Sequence, residues 1–106
     1  MPDSKLSVFR ALVARNPTNA LARFGLANEA MKEGLWEEAL EQLRTYLASY
    51  DDEGNGWGRM AEALVRLGRP GEAKEALRTG IEAARRCGHP GMASEFEARL
   101  EELEEE

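Results

Sequence analysis

Residues 27–45 read ANEAMKEGLWEEALEQLRT, and residues 61–79 read AEALVRLGRPGEAKEALRT. Between the two stretches Ala27, Gly34, Glu38, Ala39, Glu41, Leu43, Arg44 and Thr45 recur as Ala61, Gly68, Glu72, Ala73, Glu75, Leu77, Arg78 and Thr79, each 34 residues on. Similar residues repeat as well: Leu26 with Met60, Met31 with Val65, Lys32 with Arg66, Leu47 with Ile81. A fixed period of this length marks a stacked-repeat architecture, in which each unit buries its apolar face against a neighbour.

Outward from this pair, every apolar pattern has helical spacing and no stretch alternates as a strand does. Leu6, Phe9, Leu12 and Val13 form a stripe on a first helix over 4–15, started by Asp3 or Ser4 and stopped at Asn16-Pro17, where the residue before proline leaves the helical region. Thr18 or Asn19 caps a second helix that ends at Gly34. A third runs from Trp36 to Ser49, with Glu37 and Glu38 at its positive end. After the polar turn Asp51–Gly56, a fourth helix spans Trp57 to Leu67. Pro70 opens a fifth, closed by Gly88, and Pro90 opens a sixth carrying Met92, Phe96, Leu100 and Leu103.

The second repeat contains Trp57-x2-Met60-Ala61-x2-Leu64-x3-Gly68 followed by Ala73-x3-Leu77. The first contains Arg23-x2-Leu26-Ala27-x2-Ala30-x3-Gly34 and Ala39-x3-Leu43. Both resemble the tetratricopeptide repeat, whose pattern is Trp-x2-Leu-Gly-x2-Tyr in one helix and Ala-x3-Phe in the next. The resemblance is to the small bacterial-type proteins of that family. It implies an all-α, antiparallel helix-hairpin solenoid of about six helices in one domain, 1–106. Repeat 1 is expected at 20–53 and repeat 2 at 54–87, with an orphan second helix at 4–15 and a capping helix at 90–104. Met92-Ala93-x2-Phe96 echoes Met60-Ala61-x2-Leu64 at a distance of 32, a shortened connection. Arg23 stands where the family has Trp, Asp51 where it has Pro, and Gly80 occupies a helix interior at some cost.

The resemblance also places a ligand. The first helix of each pair lines a concave face, which assigns Leu21, Phe24, Asn28, Met31 and Lys32 from repeat 1 and Asn55, Gly58, Arg59, Glu62 and Arg66 from repeat 2. This is a groove with an apolar end and an arginine-bearing end suited to carboxylates. The competing reading packs Phe24 and Met31 against neighbouring helices and pairs the arginines with Glu29, Glu33 or Glu62. Some members grip a peptide's terminal carboxylate with a clamp of Lys and Asn. Here Asn28 matches one clamp position, but Phe24 and Arg59 replace two others and the third repeat's basic pair falls near His89 and Ala93, so that clamp is broken.

Composition bounds the remaining classes. Residues 1–94 carry thirteen basic and thirteen acidic side chains, so the net charge of −6 lies wholly in the last twelve residues. No basic stripe exists for nucleic acid. No stretch is long and apolar enough for a membrane span, and the N-terminus lacks the apolar core of a signal peptide, so a cytoplasmic protein is expected. Cys87 is the single cysteine and His89 the single histidine. Neither a zinc site nor a Cys–His catalytic pair can be assembled from them, and no metal, cofactor or enzyme activity is expected. The acidic end, 104–106, sits at the unfavourable end of a helix dipole and should fray.

Two functions follow. One is a protein-interaction adaptor that holds a peptide or helix of another protein in the groove. The other is a self-associating scaffold, a homodimer through Leu6, Phe9, Leu12 and Val13 of the orphan helix, since an uncapped repeat end can stack on a copy of itself.

Overall fold

The structure, a computed structural model, describes residues 4–106. Its elements are α1 (Lys5–Arg15), α2 (Ala20–Lys32), α3 (Trp36–Ser49), α4 (Asn55–Arg66), α5 (Pro70–Arg86) and α6 (Pro90–Glu104). There is no strand among the described residues. This is the all-α helical-repeat architecture that the 34-residue period implies.

Local chemistry explains where the helices start and stop. Asp3 lies outside the described residues; Ser4 caps α1, its Oγ accepting from the Ser7 N–H at 3.1 Å. Asn19 caps α2 by accepting from the Ala22 N–H at 3.1 Å. Helices α2, α4 and α5 share one ending. Gly34, Gly68 and Gly88 adopt φ of 74°, 72° and 76°, a left-handed conformation in which glycine has no Cβ to clash. The following residue reaches back to close the cap. Leu35 N–H donates to Ala30 O, Arg69 N–H to Leu64 O and His89 N–H to Ala84 O, at 2.9, 2.8 and 2.8 Å. These are Schellman caps, and they satisfy carbonyls that a helix end otherwise leaves open.

The start of α4 differs from the expected Trp57. It begins two residues earlier because the buried Asp52 folds back over it, its Oδ1 accepting from the N–H groups of Gly54 and Gly56 at 2.7 and 2.8 Å. Gly54 itself has φ of 128°. A Cβ there would lie 2.9 Å from Met92 Sδ and 3.1 Å from Gly80 O, so both backbone and space require glycine.

The chain divides into two compact units, one ending at Tyr50 and one beginning at Asp51. In the first, α1 packs on α2 and α2 on α3. Val13, Ala22 and Leu26 form a buried cluster, with Leu6 and Phe9 packed against it. Gly25 leaves room for the Phe9 ring, which a Cβ would strike. Arg23, at the position of the family's Trp, donates from Nε to Pro17 O at 2.9 Å and from Nη1 to the buried Gln42 Oε1 at 2.8 Å. A guanidinium thereby ties the α1–α2 turn to α3. Arg10 of α1 forks onto Glu38 of α3, Nε to Oε2 at 2.8 Å and Nη2 to Oε1 at 2.6 Å. The hydrogen bonds from Arg10, helped by its charge and opposed by partial burial, hold the Glu38 carboxyl below its ordinary pKa.

In the second unit α4 packs on α5 and α5 on α6. The two units solve one packing problem differently. Phe24 and Tyr46, whose ring centroids are 4.9 Å apart in the first hairpin, correspond at the 34-residue period to Gly58 and Gly80. Both glycines border the ring of buried Phe96 from α6. A Cβ on Gly58 would lie 2.5 Å from Phe96 Cζ, and one on Gly80 would lie 3.1 Å from its Cδ2 and 2.9 Å from Trp57 Cβ. The cost of a glycine inside a helix, about 1 kcal/mol, is offset by seating an aromatic ring, whose burial stabilises by roughly 1.5–3 kcal/mol. Gly80, read from sequence only as a penalty, is half of the slot that docks the capping helix.

Candidate functional site

The residues that the sequence assigns to a groove fall in both units. In the first, Leu21 is offered to solvent, 71 % exposed. Phe24 is half-buried with its ring tilted by 38° against Tyr46, which in turn stacks on Tyr50 with centroids 5.2 Å apart. Met31 is half-buried, and Lys32 is exposed with its Nζ 3.0 Å from Glu29 Oε2. The Asn28 Oδ1 atom is enclosed and accepts no hydrogen bond among the described residues. Phe24 thus packs within the hairpin as the competing reading has it, Lys32 pairs with Glu29, and Leu21 is the large apolar side chain this face presents.

In the second unit the assigned residues converge. Asn55, Gly58, Arg59 and Glu62 of α4 line a cavity of about 170 Å³ with Glu95, Phe96 and Arg99 of α6. A second cavity of about 290 Å³ adjoins it, bordered by α4, α6 and Leu77 of α5. Its apolar lining is Ala61, Val65, Leu77 and Leu103, and its charged lining is Glu62, Arg66, Arg99, Glu102 and Glu106. Glu62 and Arg99 line both, so the two cavities adjoin along a cleft between α4 and α6. Positions 55, 58, 59, 62 and 66 share it because spacings of three and four keep them on one helical face.

The arginines of the cleft are engaged within the chain. Arg66 Nη2 lies 4.0 Å from Glu62 Oε2, one helical turn away. Arg59 also has an interaction partner among the described residues. Arg99 places its guanidinium 5.7 Å from the centroid of the Phe96 ring, a cation–π distance, with Nη2 3.5 Å from Gly58 O. Sequence reasoning omitted α6 from the groove. The echo of Met60-Ala61 in Met92-Ala93 was the available signal, since a helix equivalent to α4 brings its equivalent face.

The self-association stripe is partitioned by the fold. Val13 is buried, and Leu6 and Phe9 pack against its cluster, so these three are used inside the chain. Leu12 is exposed, and so is Val8, one turn earlier on the same face, which the sequence reading passed over. Cys87 is exposed at the end of α5, and the exposed His89 gives its backbone N–H to that helix's cap.

A tetratricopeptide-repeat family model matches residues 30–90, more than half of the chain. The chain belongs to the tetratricopeptide-repeat family. The fold agrees: the solution structure of a protein from Bordetella parapertussis superposes with a TM-score of 0.82, at 23 % identity, covering 98 % of this chain and 90 % of that one. A search of the curated proteins returned no match. Tetratricopeptide-repeat domains are in general protein–protein interaction modules and generally non-catalytic, and that class of function comes with the family. Among the described residues no helix of this tetratricopeptide-repeat chain is long and apolar enough to cross a membrane.

Proposed function

We propose that this tetratricopeptide-repeat protein is an adaptor that holds a peptide or helix of a partner protein against the first-helix faces of its repeats, with the α4–α6 cleft as the principal seat. The observation that carries the reading is the pair of adjoining cavities between α4 and α6, one polar at Asn55 and Arg59 and the other apolar at Val65 and Leu103. Val65 is exposed on this floor, so a partner side chain covering it gains burial at no cost to the fold. The family resemblance gives Leu21, Phe24, Asn28, Met31 and Lys32 of α2 the same role in repeat 1, with Leu21 as the contact most open to a partner.

The test is selection of a displayed random-peptide library on the immobilised chain, beside a Val65→Asp variant of unchanged helical signal. Peptides enriched on the parent and lost on the variant support the cleft. Peptides held equally by both refute it.

A second reading, self-association through α1, is favoured by the exposed pair Val8 and Leu12 on one helical face. Its probe is Leu12→Glu rather than a change at Phe9, which would disturb the chain's own α1–α2 packing. Light scattering on a sizing column should give a dimer for the parent and a monomer for Leu12→Glu. A parent that stays monomeric at high concentration ends this reading.

A further inference from the structure

Two groups of acidic side chains stand out on α6 and the residues just after it, with Glu101 and Glu105 in neither. Glu97 and Glu104, seven apart and so on one face, turn toward α5: Glu97 pairs with Arg85, and Glu104 Oε2 lies 3.0 Å from Arg78 Nη2. Glu95, Glu102 and Glu106 line the cavities instead and make no ion pair among the described residues. The cations beside them are already engaged, Arg66 with Glu62 and Arg99 with the Phe96 ring and the Gly58 carbonyl. The larger cavity therefore has an apolar floor, Val65, Leu77 and Leu103, under walls in which Glu62, Glu102 and Glu106 outnumber Arg66 and Arg99. The sequence reading has Arg59 and Arg66 receiving carboxylates; the one-carboxylate excess lining this cavity favours a cation instead.

Resting on the cleft reading above, we infer that the α4–α6 cleft takes a basic amphipathic segment of a partner protein. An apolar side chain of the segment covers Val65 and Leu103. A lysine or arginine one helical turn away meets Glu102 and Glu106, with Glu62 on the opposite wall. Desolvation of Val65 and Leu103 supplies the attraction. The carboxylates select the sign of the partner's charge and speed its approach. An acidic segment in the same pose would bring like charges together beside an apolar floor, which is disfavoured.

Three synthetic amphipathic helices of one leucine pattern, with lysine, glutamate or glutamine at the polar positions, are titrated into the isotope-labelled full chain while amide shifts are followed. The lysine peptide should bind best and move the amides of Gly58, Ala61, Val65 and Leu103. Its affinity should fall when NaCl is raised from about 0.05 to about 0.5 M. Glu62→Gln and Glu102→Gln should each weaken it about two- to fivefold. Glu101→Gln with Glu105→Gln removes charge without touching the cavity lining and should leave affinity unchanged; an equal loss there would mean diffuse attraction and would overturn the inference. Equal or tighter binding of the glutamate or glutamine peptide at the same amides overturns the charge preference and leaves the cleft standing. If no peptide moves the cleft amides, cleft and inference fall together.

Discussion

Replacing Gly58 by alanine should destabilise this chain, and the same replacement should stabilise it once Phe96 is also alanine. Alanine is favoured over glycine inside a helix by about 1 kcal/mol, and α4 is helical through position 58. In the parent, however, the new Cβ would stand 2.5 Å from Phe96 Cζ and 2.7 Å from Cε1. Those distances are far inside van der Waals contact. The ring cannot swing freely, because a second wall, Gly80 of α5, borders its other edge. Forcing a methyl group into such a site costs about 1–3 kcal/mol, which exceeds the propensity gain. Phe96→Ala alone should cost about 3–5 kcal/mol, the usual loss for truncating a buried phenylalanine. It also opens the space that the Gly58→Ala methyl needs, so in that background the propensity gain of about 1 kcal/mol is recovered. The double-mutant cycle should then show a coupling of about 1–3 kcal/mol. Urea unfolding followed by far-ultraviolet circular dichroism gives each midpoint, with the slope checked for constancy. Additivity of the two changes to within about 0.5 kcal/mol, or stabilisation by Gly58→Ala in both backgrounds, would refute the slot.

Asp52→Ala should destabilise by about 1–2 kcal/mol, since one carboxylate oxygen serves the N–H groups of both Gly54 and Gly56; Asp52→Asn, which keeps an acceptor there, should lose less, and thermal melts rank the two. Glu38→Gln should lower the melting temperature near neutral pH. Folding depresses the Glu38 pKa, so its contribution is complete above the ordinary carboxyl value of 4.5 and fades as pH falls through the lowered one. Parent and variant melts should therefore converge as pH falls from 4.5 through the lowered Glu38 pKa, and a constant gap down to acid unfolding would contradict the Arg10–Glu38 fork as its source.

How much of this was legible in one dimension depends on the range of the force involved. Helix ends are decided by sterics and hydrogen bonds within a few residues. Gly34, Gly68 and Gly88 therefore announced three helix ends, and the starts of α1 and α2 were legible to within one residue, Asp3 or Ser4 and Thr18 or Asn19. Asp52 was harder to read. It reaches α4 across Glu53 from what looks like a solvated acidic turn, and its burial is invisible until the turn is folded. The α2 candidates divided for the same reason: Leu21 and Phe24 share a helical face, yet only Phe24 meets Tyr46 across the hairpin.

The sequence by itself determined the repeat, its period, the six helices and the family, because periodicity and cap chemistry are properties of neighbours along the chain. Only the tertiary structure decided which groups remain for a partner. It placed Phe96 in the slot left by Gly58 and Gly80, turned Phe9 inward onto Gly25 while leaving Val8 and Leu12 outside, and paired the α6 glutamates on one side alone. Each of those outcomes is a competition for space or charge between residues from different helices, and no local pattern records who wins.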